Sequence, residues 1–353
     1  MQAEQLISAH RGAADNPPNR FEKIQLQPDD EWDPEDNILP RTQFYKDDSQ
    51  SVIARNDSPD IGFRASLNPY RGCEHGCIYC YARPTHEYLG FSAGLDFESK
   101  IMVKASAPSL LRKELSSVKW QPQVIFMSGV TDCYQPVERK LKLTRRCLEV
   151  LAEFRNPVFI ITKNRLVTRD IDLLSELAKH HAVAVWMSIT TLDPAMRKIM
   201  EPRTSPPAAR LAALGELARA GIPVGVNVAP IIPGLTDHEI PSILKAAAAV
   251  GAMAAGFTMV RLPHAVATLF ETWLETHFPA KKEKVLSQLR AMRGGKLYDA
   301  QWDKRFSGEG VFAQQIAKMF EVARRKAGMS DSHPDLSTLS FRRTGGGQLS
   351  LFS

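Results

Sequence analysis

The sequence predicts an α/β fold, a partial (β/α)6 TIM-type barrel that stays open, with an irregular N-terminal arm and a helical C-terminal extension. Three observations carry this expectation. From about residue 120, short apolar runs alternate with amphipathic stretches of helical period, the pattern of parallel strands joined by crossover helices. The apolar runs end in polar clusters ("SGVTD", "TKN", "SITT", "PGLTD", "RLPH"), as expected where strand ends gather a site. Counting a strand just before Cys73 there are six strand–helix units, too few for a closed eight-stranded barrel.

Residues 1–60 hold 13 Asp/Glu against 6 Lys/Arg and are broken by "NPPNR", "DDEWDPEDN" and "KDDSQS". That composition predicts an acidic irregular arm with little secondary structure. The core is expected over residues 61–265. Its strands are "QVIFMSGV", "PVFIITKN", "AVAVWMSIT", "PVGVNVAPII" and "AAGFTMVRL", runs suited to burial on both faces. Between them lie helical patterns in "VERKLKLTRRCLEVLAEF", "TRDIDLLSELAKH", "SPPAARLAALGELARAG" and "DHEIPSILKAAAAVG". The third has Pro near its start and Gly just past its end, the normal asymmetry of helix termini. From 266 the alternation stops, and residues 266–340 read as a helical extension followed by a glycine-hinged tail at 341–353.

Bulk properties exclude several classes. With 44% hydrophobic and 24% charged residues in 353, the chain is an ordinary globular protein. No apolar run approaches the roughly 20 residues of a membrane span, and the start lacks a basic-then-apolar secretory signal. Five unevenly spaced cysteines argue against a disulfide framework and point to a reducing cytoplasm. The net charge of +6 divides into −7 on residues 1–60 and +13 on the rest. Such a body suits a polyanionic partner, and equally a basic enzyme without one.

The stretch "NPYRGCEHGCIYCYARPTHEYLG", residues 68–90, spends three of the five cysteines in one loop. Thiols spaced C-x3-C-x2-C can converge on one metal centre. Two uses are open from the residues: a [4Fe–4S] cube with one iron left for a small molecule, or zinc with His75 as fourth ligand. Cys147, inside "TRRCLEVL", reads as a small core residue.

With Tyr79 before its last cysteine and a strand ahead of it, this loop resembles that of the radical SAM superfamily, and the resemblance extends over roughly residues 62–265. It implies that Cys73, Cys77 and Cys80 hold a [4Fe–4S] cluster. S-adenosylmethionine (SAM) would chelate the open iron and be cleaved to a 5′-deoxyadenosyl radical that abstracts hydrogen from substrate. Ser128, Gly129 and Asp132 of "SGVTD" fall at the segment that binds the SAM amino group, although the usual Gly-Gly-Glu form is absent. Lys163 falls near the SAM carboxylate, Ser188 at a ribose or carboxylate contact, and the Tyr79 carbonyl at the adenine amine. Glu201, Arg203 and Arg210 are expected to bind SAM or clamp substrate, a surface ion pair being the other reading. Asp132 would look the same as a turn aspartate.

The surrounding phrases "SGVTDCYQPVER", "ITKN", "EPRTSPPAARLAAL" and "GIPVGVNVAPIIPGLTD" narrow the resemblance to the spore photoproduct lyase, or DNA repair photolyase-like, subgroup. In those lyases a hydrogen-donating cysteine precedes a Thr-Ser-Asp stretch. Here Gly129 takes that place, and Cys133, four residues on, is the candidate donor. Tyr81, with Arg83, His86 and Tyr88, is expected at the substrate mouth, or packed around the loop.

The terminal "GGGQLSLFS" places Gln348, Leu349, Leu351 and Phe352 in a stretch resembling the sliding-clamp-binding peptide of bacterial DNA polymerases and repair proteins. The combined expectation is a cytoplasmic radical SAM enzyme of DNA repair or nucleic-acid modification. Its partners would be DNA, the clamp, and an electron donor such as flavodoxin or ferredoxin. Radical chemistry on tRNA, protein or a small molecule, and a non-catalytic clamp-bound cluster protein, are the alternatives.

Overall fold

The computed structural model describes residues 11–21, 41–302, 304–332 and 334–343. The strands are β1 (Gln43–Lys46), β2 (Ile53–Arg55), β3 (Ala65–Leu67), β4 (Tyr70–Arg71) and β5 (Lys100–Val103), then β6 (Ile125–Met127), β7 (Val158–Thr162), β8 (Val183–Ser188), β9 (Val224–Ile231) and β10 (Ala254–Met259). The main sheet runs β10-β9-β8-β7-β6-β3-β2. Its pairs from β3 to β10 are parallel, while β2 lies antiparallel on β3. The six parallel strands are the six expected, and β2 and β10 remain its edges. A smaller sheet, β1-β5-β4, sits beside the cysteine loop.

Alternation along the strands sorts the core. Val183, Val185 and Met187 of β8 face the crossover helices, packing with Val158, Ile160 and the buried stripe Cys147, Leu148, Leu151 and Phe154 of helix Leu143–Phe154. Cys147 is thus a core residue, as read. The opposite face carries Phe126, Phe159 and Trp186, with ring centroids 5.2 and 5.6 Å apart. Trp186 lies flat across β9 and β10: a Cβ at Gly225 would stand 2.4 Å from its Nε1, and one at Gly256 2.8 Å from its ring.

Three features differ from the sequence expectation. The arm region supplies strands: β2 covers the β3 edge and β1 pairs with β5, because open edges demand partners for their backbone groups. The long helix expected over "VERKLKLTRRCLEVLAEF" is broken into Glu138–Leu141 and Leu143–Phe154, with Lys142 left-handed at φ 52°. The buried Glu138 carboxylate causes the break, accepting from the Thr144 amide at 3.0 Å and the Tyr70 hydroxyl at 2.5 Å, so it caps the second piece. Finally, residues 328–332 and 334–343 form a strap across the strand-start end of the barrel. Ser330 pairs with the β10 edge, the Ser337 amide donates to the His181 carbonyl at 2.8 Å, and Arg342 and Arg343 donate to Glu153 and Trp120 carbonyls at 2.9 and 2.8 Å. Of the tail expected over 341–353, residues 341–343 thus belong to this docked segment and the rest lie outside the described residues.

Candidate active site

The cysteine loop leaves β3 at its C-terminal end and turns through two left-handed glycines, Gly72 (φ 80°) and Gly76 (φ 66°). A side chain fits at neither: a Cβ on Gly76 would meet Glu98 Oε2 at 2.5 Å, and one on Gly72 would meet the His86 ring at 2.8 Å. The loop is braced from below. Arg83, fully buried, donates from Nε to the Cys77 carbonyl at 3.0 Å, from Nη1 to the Gly94 carbonyl at 2.8 Å and from Nη2 to Glu98 Oε1 at 2.5 Å. Glu98 also accepts from the amides of Gly12 and Ala13 at 3.0 and 2.8 Å, so residues 11–13 are tied over the same loop.

A second set of contacts fixes the loop sideways. Gln135 accepts from the Glu74 amide at 2.9 Å and donates to the Gly72 carbonyl at 3.1 Å. The segment 200–203 runs alongside, with Ile78 donating to Met200 and Arg203 to His75 through backbone bonds of 3.1 and 3.3 Å. The Arg203 guanidinium pairs with Glu74 at 2.8 Å. Arg203 therefore positions the cysteine loop.

Cys73 and Cys77 are buried and Cys80 is partly exposed. Burial pushes all three thiols above the ordinary range, so a metal must displace their protons on binding. Three thiols on one braced loop suit an iron–sulfur cube with one iron open to a small molecule. The zinc reading loses its fourth ligand, because both His75 nitrogens are engaged, Nδ1 with Asp132 at 3.4 Å and Nε2 with Asn164 at 3.2 Å. Among the described residues no three Cys, His, Asp or Glu side chains converge on a single ion.

The strand ends next to the loop hold one connected polar cluster. Lys163, after β7, reaches Glu201 Oε1 at 3.2 Å, the Ala229 carbonyl at 2.9 Å and Thr190 Oγ1 at 3.4 Å. Glu201 accepts from Thr190 at 2.8 Å and from the Tyr79 hydroxyl, and pairs with Arg210. Although burial opposes its charge, Arg210 and Lys163 together hold the Glu201 carboxyl well below the usual range. Arg210 spends its remaining donors on the Ser188 and Ser205 carbonyls, both at 2.8 Å, and on Thr204 at 2.6 Å. Arg210 thus anchors Glu201, and Glu201 in turn orients Lys163 and Tyr79.

Asp132 is a hub: it accepts from Thr162 Oγ1 and from the Lys163 and Tyr134 amides, each at 2.8 Å. Ser128 stands at φ 75°, a conformation costing about 1–3 kcal/mol for a residue with a side chain, and its hydroxyl accepts from the Cys133 amide at 2.9 Å. Tyr81 is 44% exposed and donates to the Gly129 carbonyl at 2.6 Å, beside the turn after β6.

Cys133 is placed elsewhere, and of the two readings of Arg83 and His86 the structure has the packed one. Cys133 is fully buried in the main hydrophobic core, because the turn after β6 directs it inward, away from the mouth where a hydrogen donor would have to stand. Arg83 and His86 are also fully buried beneath the loop, while Tyr88 is exposed beside Phe21. Sequence reasoning did not single out Glu98, Gln135, Glu74 or Thr190. Their partners lie up to 129 positions away, as for Glu74 and Arg203, and no local spacing signals them. Gln348, Leu349, Leu351 and Phe352 lie outside the described residues.

Residues 67–247 match the family model described as the radical SAM superfamily. An uncharacterised protein of Mycobacterium tuberculosis is 36% identical over 62% of this chain and 65% of its own length. The chain thus spans somewhat less than two thirds of that relative. A protein of Pseudomonas phage M6 described as a radical SAM Nα-GlyT isomerase is 25% identical over 61% of this chain and 43% of its own. Spore photoproduct lyase complexed with dinucleoside spore photoproduct superposes with a TM-score of 0.56 at 15% identity, covering 82% of this chain and 80% of that one.

Proposed function

The chain belongs to the radical SAM superfamily, with a [4Fe–4S] cluster and SAM as its cofactors, and from that premise we propose that it performs hydrogen-atom abstraction on DNA, in repair or base modification. The observation that carries the reading is the braced three-thiol loop opening onto the Lys163–Glu201–Thr190 cluster at the strand ends. Cys73, Cys77 and Cys80 would hold the cluster. When bound, cluster and SAM supply the electron and the adenosyl radical. Lys163, held by Glu201, Thr190 and the Ala229 carbonyl, would exchange one of these partners to meet a carboxylate. Asp132 fixes the Lys163 backbone and His75, and Arg210 keeps Glu201 ionised.

Two facts support DNA as the substrate class. The fold is that of a lyase solved with a dinucleoside photoproduct, and residues 61–353 carry a net charge of +13. With Cys133 buried, direct hydrogen return from that thiol is not part of the reading; Tyr81 is the hydrogen-bearing side chain proposed at the mouth. The tail residues Gln348, Leu349, Leu351 and Phe352 are proposed to dock on a sliding clamp, by the resemblance of their sequence alone.

The test is anaerobic reconstitution with iron and sulfide, reduction, and assay of 5′-deoxyadenosine with and without damaged DNA. Release that disappears in the Cys73→Ala, Cys77→Ala, Cys80→Ala triple variant is the expected result. A loaded cluster that releases none in either condition overturns the catalytic reading. Release stimulated by tRNA or a peptide but not by DNA overturns the substrate class.

A further inference from the structure

Resting on the nucleic-acid reading above, we propose that Arg261 and Arg293, beside Tyr81 and Phe306, form an anion subsite that takes a backbone phosphate of the substrate strand. The two guanidinium groups come from different elements. Arg261 follows the end of β10, and Arg293 follows helix Pro279–Ala291. Arg261 stands between two rings, 4.8 Å from the Tyr81 centroid and 4.7 Å from that of Phe306. These contacts fix its plane while leaving its Nε buried and without a hydrogen-bond partner.

Arg293 is only 2% exposed. Its Nη2 donates to the Val260 carbonyl at 2.8 Å and approaches the Arg305 carbonyl at 3.4 Å. Its Nε and Nη1 are buried with no partner. Nearby Arg305 differs: its charge is offset by Asp60, which accepts from its Nε at 2.6 Å. Burial first, and Arg261 second, hold the Arg293 guanidinium below its ordinary range, with Asp299 and Tyr298 acting in the other direction.

Buried donors left unpaired oppose folding, and more so on a charged group. Three unpartnered donors on two neighbouring guanidinium groups suit a ligand with several acceptor oxygens. A phosphodiester offers two non-bridging oxygens and a full negative charge, the geometry a guanidinium fork matches. Position favours the same ligand. Tyr81 directly follows Cys80, and its hydroxyl touches the end of β6, so the subsite adjoins the cluster loop. Its half-exposed ring gives a neighbouring base a stacking surface.

The experiment uses the full chain, reconstituted, with a short fluorescent single-stranded oligonucleotide titrated by anisotropy at several salt concentrations. Thymidylyl-thymidine, thymidine, pyrophosphate and SAM serve as separate ligands. Arg261→Gln and Arg293→Gln should each weaken oligonucleotide and thymidylyl-thymidine binding by about tenfold or more. Each should also flatten the log-affinity against log-salt slope by about 0.7. Pyrophosphate should compete with the oligonucleotide on the wild type and on neither variant. Arg261 is half-buried, so Arg261→Gln carries the test if Arg293→Gln fails to fold.

Equal affinity and slope in wild type and Arg261→Gln overturn the subsite and leave the DNA reading standing. Arginine-dependent pyrophosphate binding without any oligonucleotide binding overturns the nucleic-acid assignment instead. If Arg261→Gln loses SAM and keeps the oligonucleotide, the pair belongs to the SAM carboxylate, and the proposal falls.

Discussion

Glu201 shows how much a single buried carboxylate can organise. It is fully buried, pairs with Arg210 and Lys163, and accepts from Tyr79 and Thr190. Removing its charge leaves two cations facing an amide, and breaking a buried pair costs about 3–5 kcal/mol. Glu201→Gln should therefore lose about 3 kcal/mol of stability in a urea titration of the metal-free protein. A loss below 1 kcal/mol would show that Lys163 and Arg210 find other partners. His86 gives a pH signature. Its Nε2 donates to the Lys100 carbonyl at 2.8 Å, while its buried Nδ1 has no acceptor for a second proton. Burial holds its pKa down at about 4, against 6.5 for a free histidine. Between these values the unfolded chain binds the extra proton and the folded one does not. The stabilisation is full above 6.5 and is lost as pH falls toward about 4, by at most about 3 kcal/mol. His86→Phe, which keeps the ring among Phe91 and Phe97, should flatten that slope in denaturation curves measured across the window.

At the scale of elements, the cysteine loop and the broken helix show what a sequence exposes and what it hides. The C-x3-C-x2-C spacing was legible because the three ligands are local. The floor of the loop was not, because Arg83 and Glu98 meet only after helix Leu95–Ser99 folds back, and Arg83 read equally well as a mouth residue. Glu98→Ala would strand Arg83 and the amides of Gly12 and Ala13. We expect the variant to fold but to retain less iron after reconstitution and desalting than wild type, and equal retention would remove the bracing role. The helix break went unseen because "VERKLKLTRRCLEVLAEF" keeps a helical period throughout, while the cause, Tyr70 against Glu138, lies 68 positions upstream. Lys142 there holds φ 52° with a side chain. Lys142→Gly should raise stability by about 1 kcal/mol in thermal denaturation, since glycine adopts that conformation without strain. A destabilised variant would mean that the entropy added to the unfolded chain dominates.

At the scale of the molecule, the six parallel strands were readable because each is an apolar run bounded by polar ends, a signal local to each strand. Closure of the barrel base was not, because residues 328–332 and 334–343 carry no such pattern and act by where they reach. This strap starts on the β10 edge at Ser330, sets Leu336 against the Phe159–Trp186 cluster, and ends with Phe341 on Phe154, 6.3 Å between centroids. It thereby ties the last strand of the open sheet to the helices that flank the first ones. An open parallel sheet with an uncovered edge and an aromatic floor is poorly protected against pairing with other chains. Truncation after Ala327 should therefore lower the thermal midpoint and produce concentration-dependent aggregation. Leu336→Ser tests the floor contact alone and should cost about 1–2 kcal/mol without exposing the β10 edge. Light scattering separates the two effects: aggregation in the truncated chain but not in Leu336→Ser assigns edge protection to the Ser330 pairing. Aggregation in neither would show that the open sheet is stable without its strap.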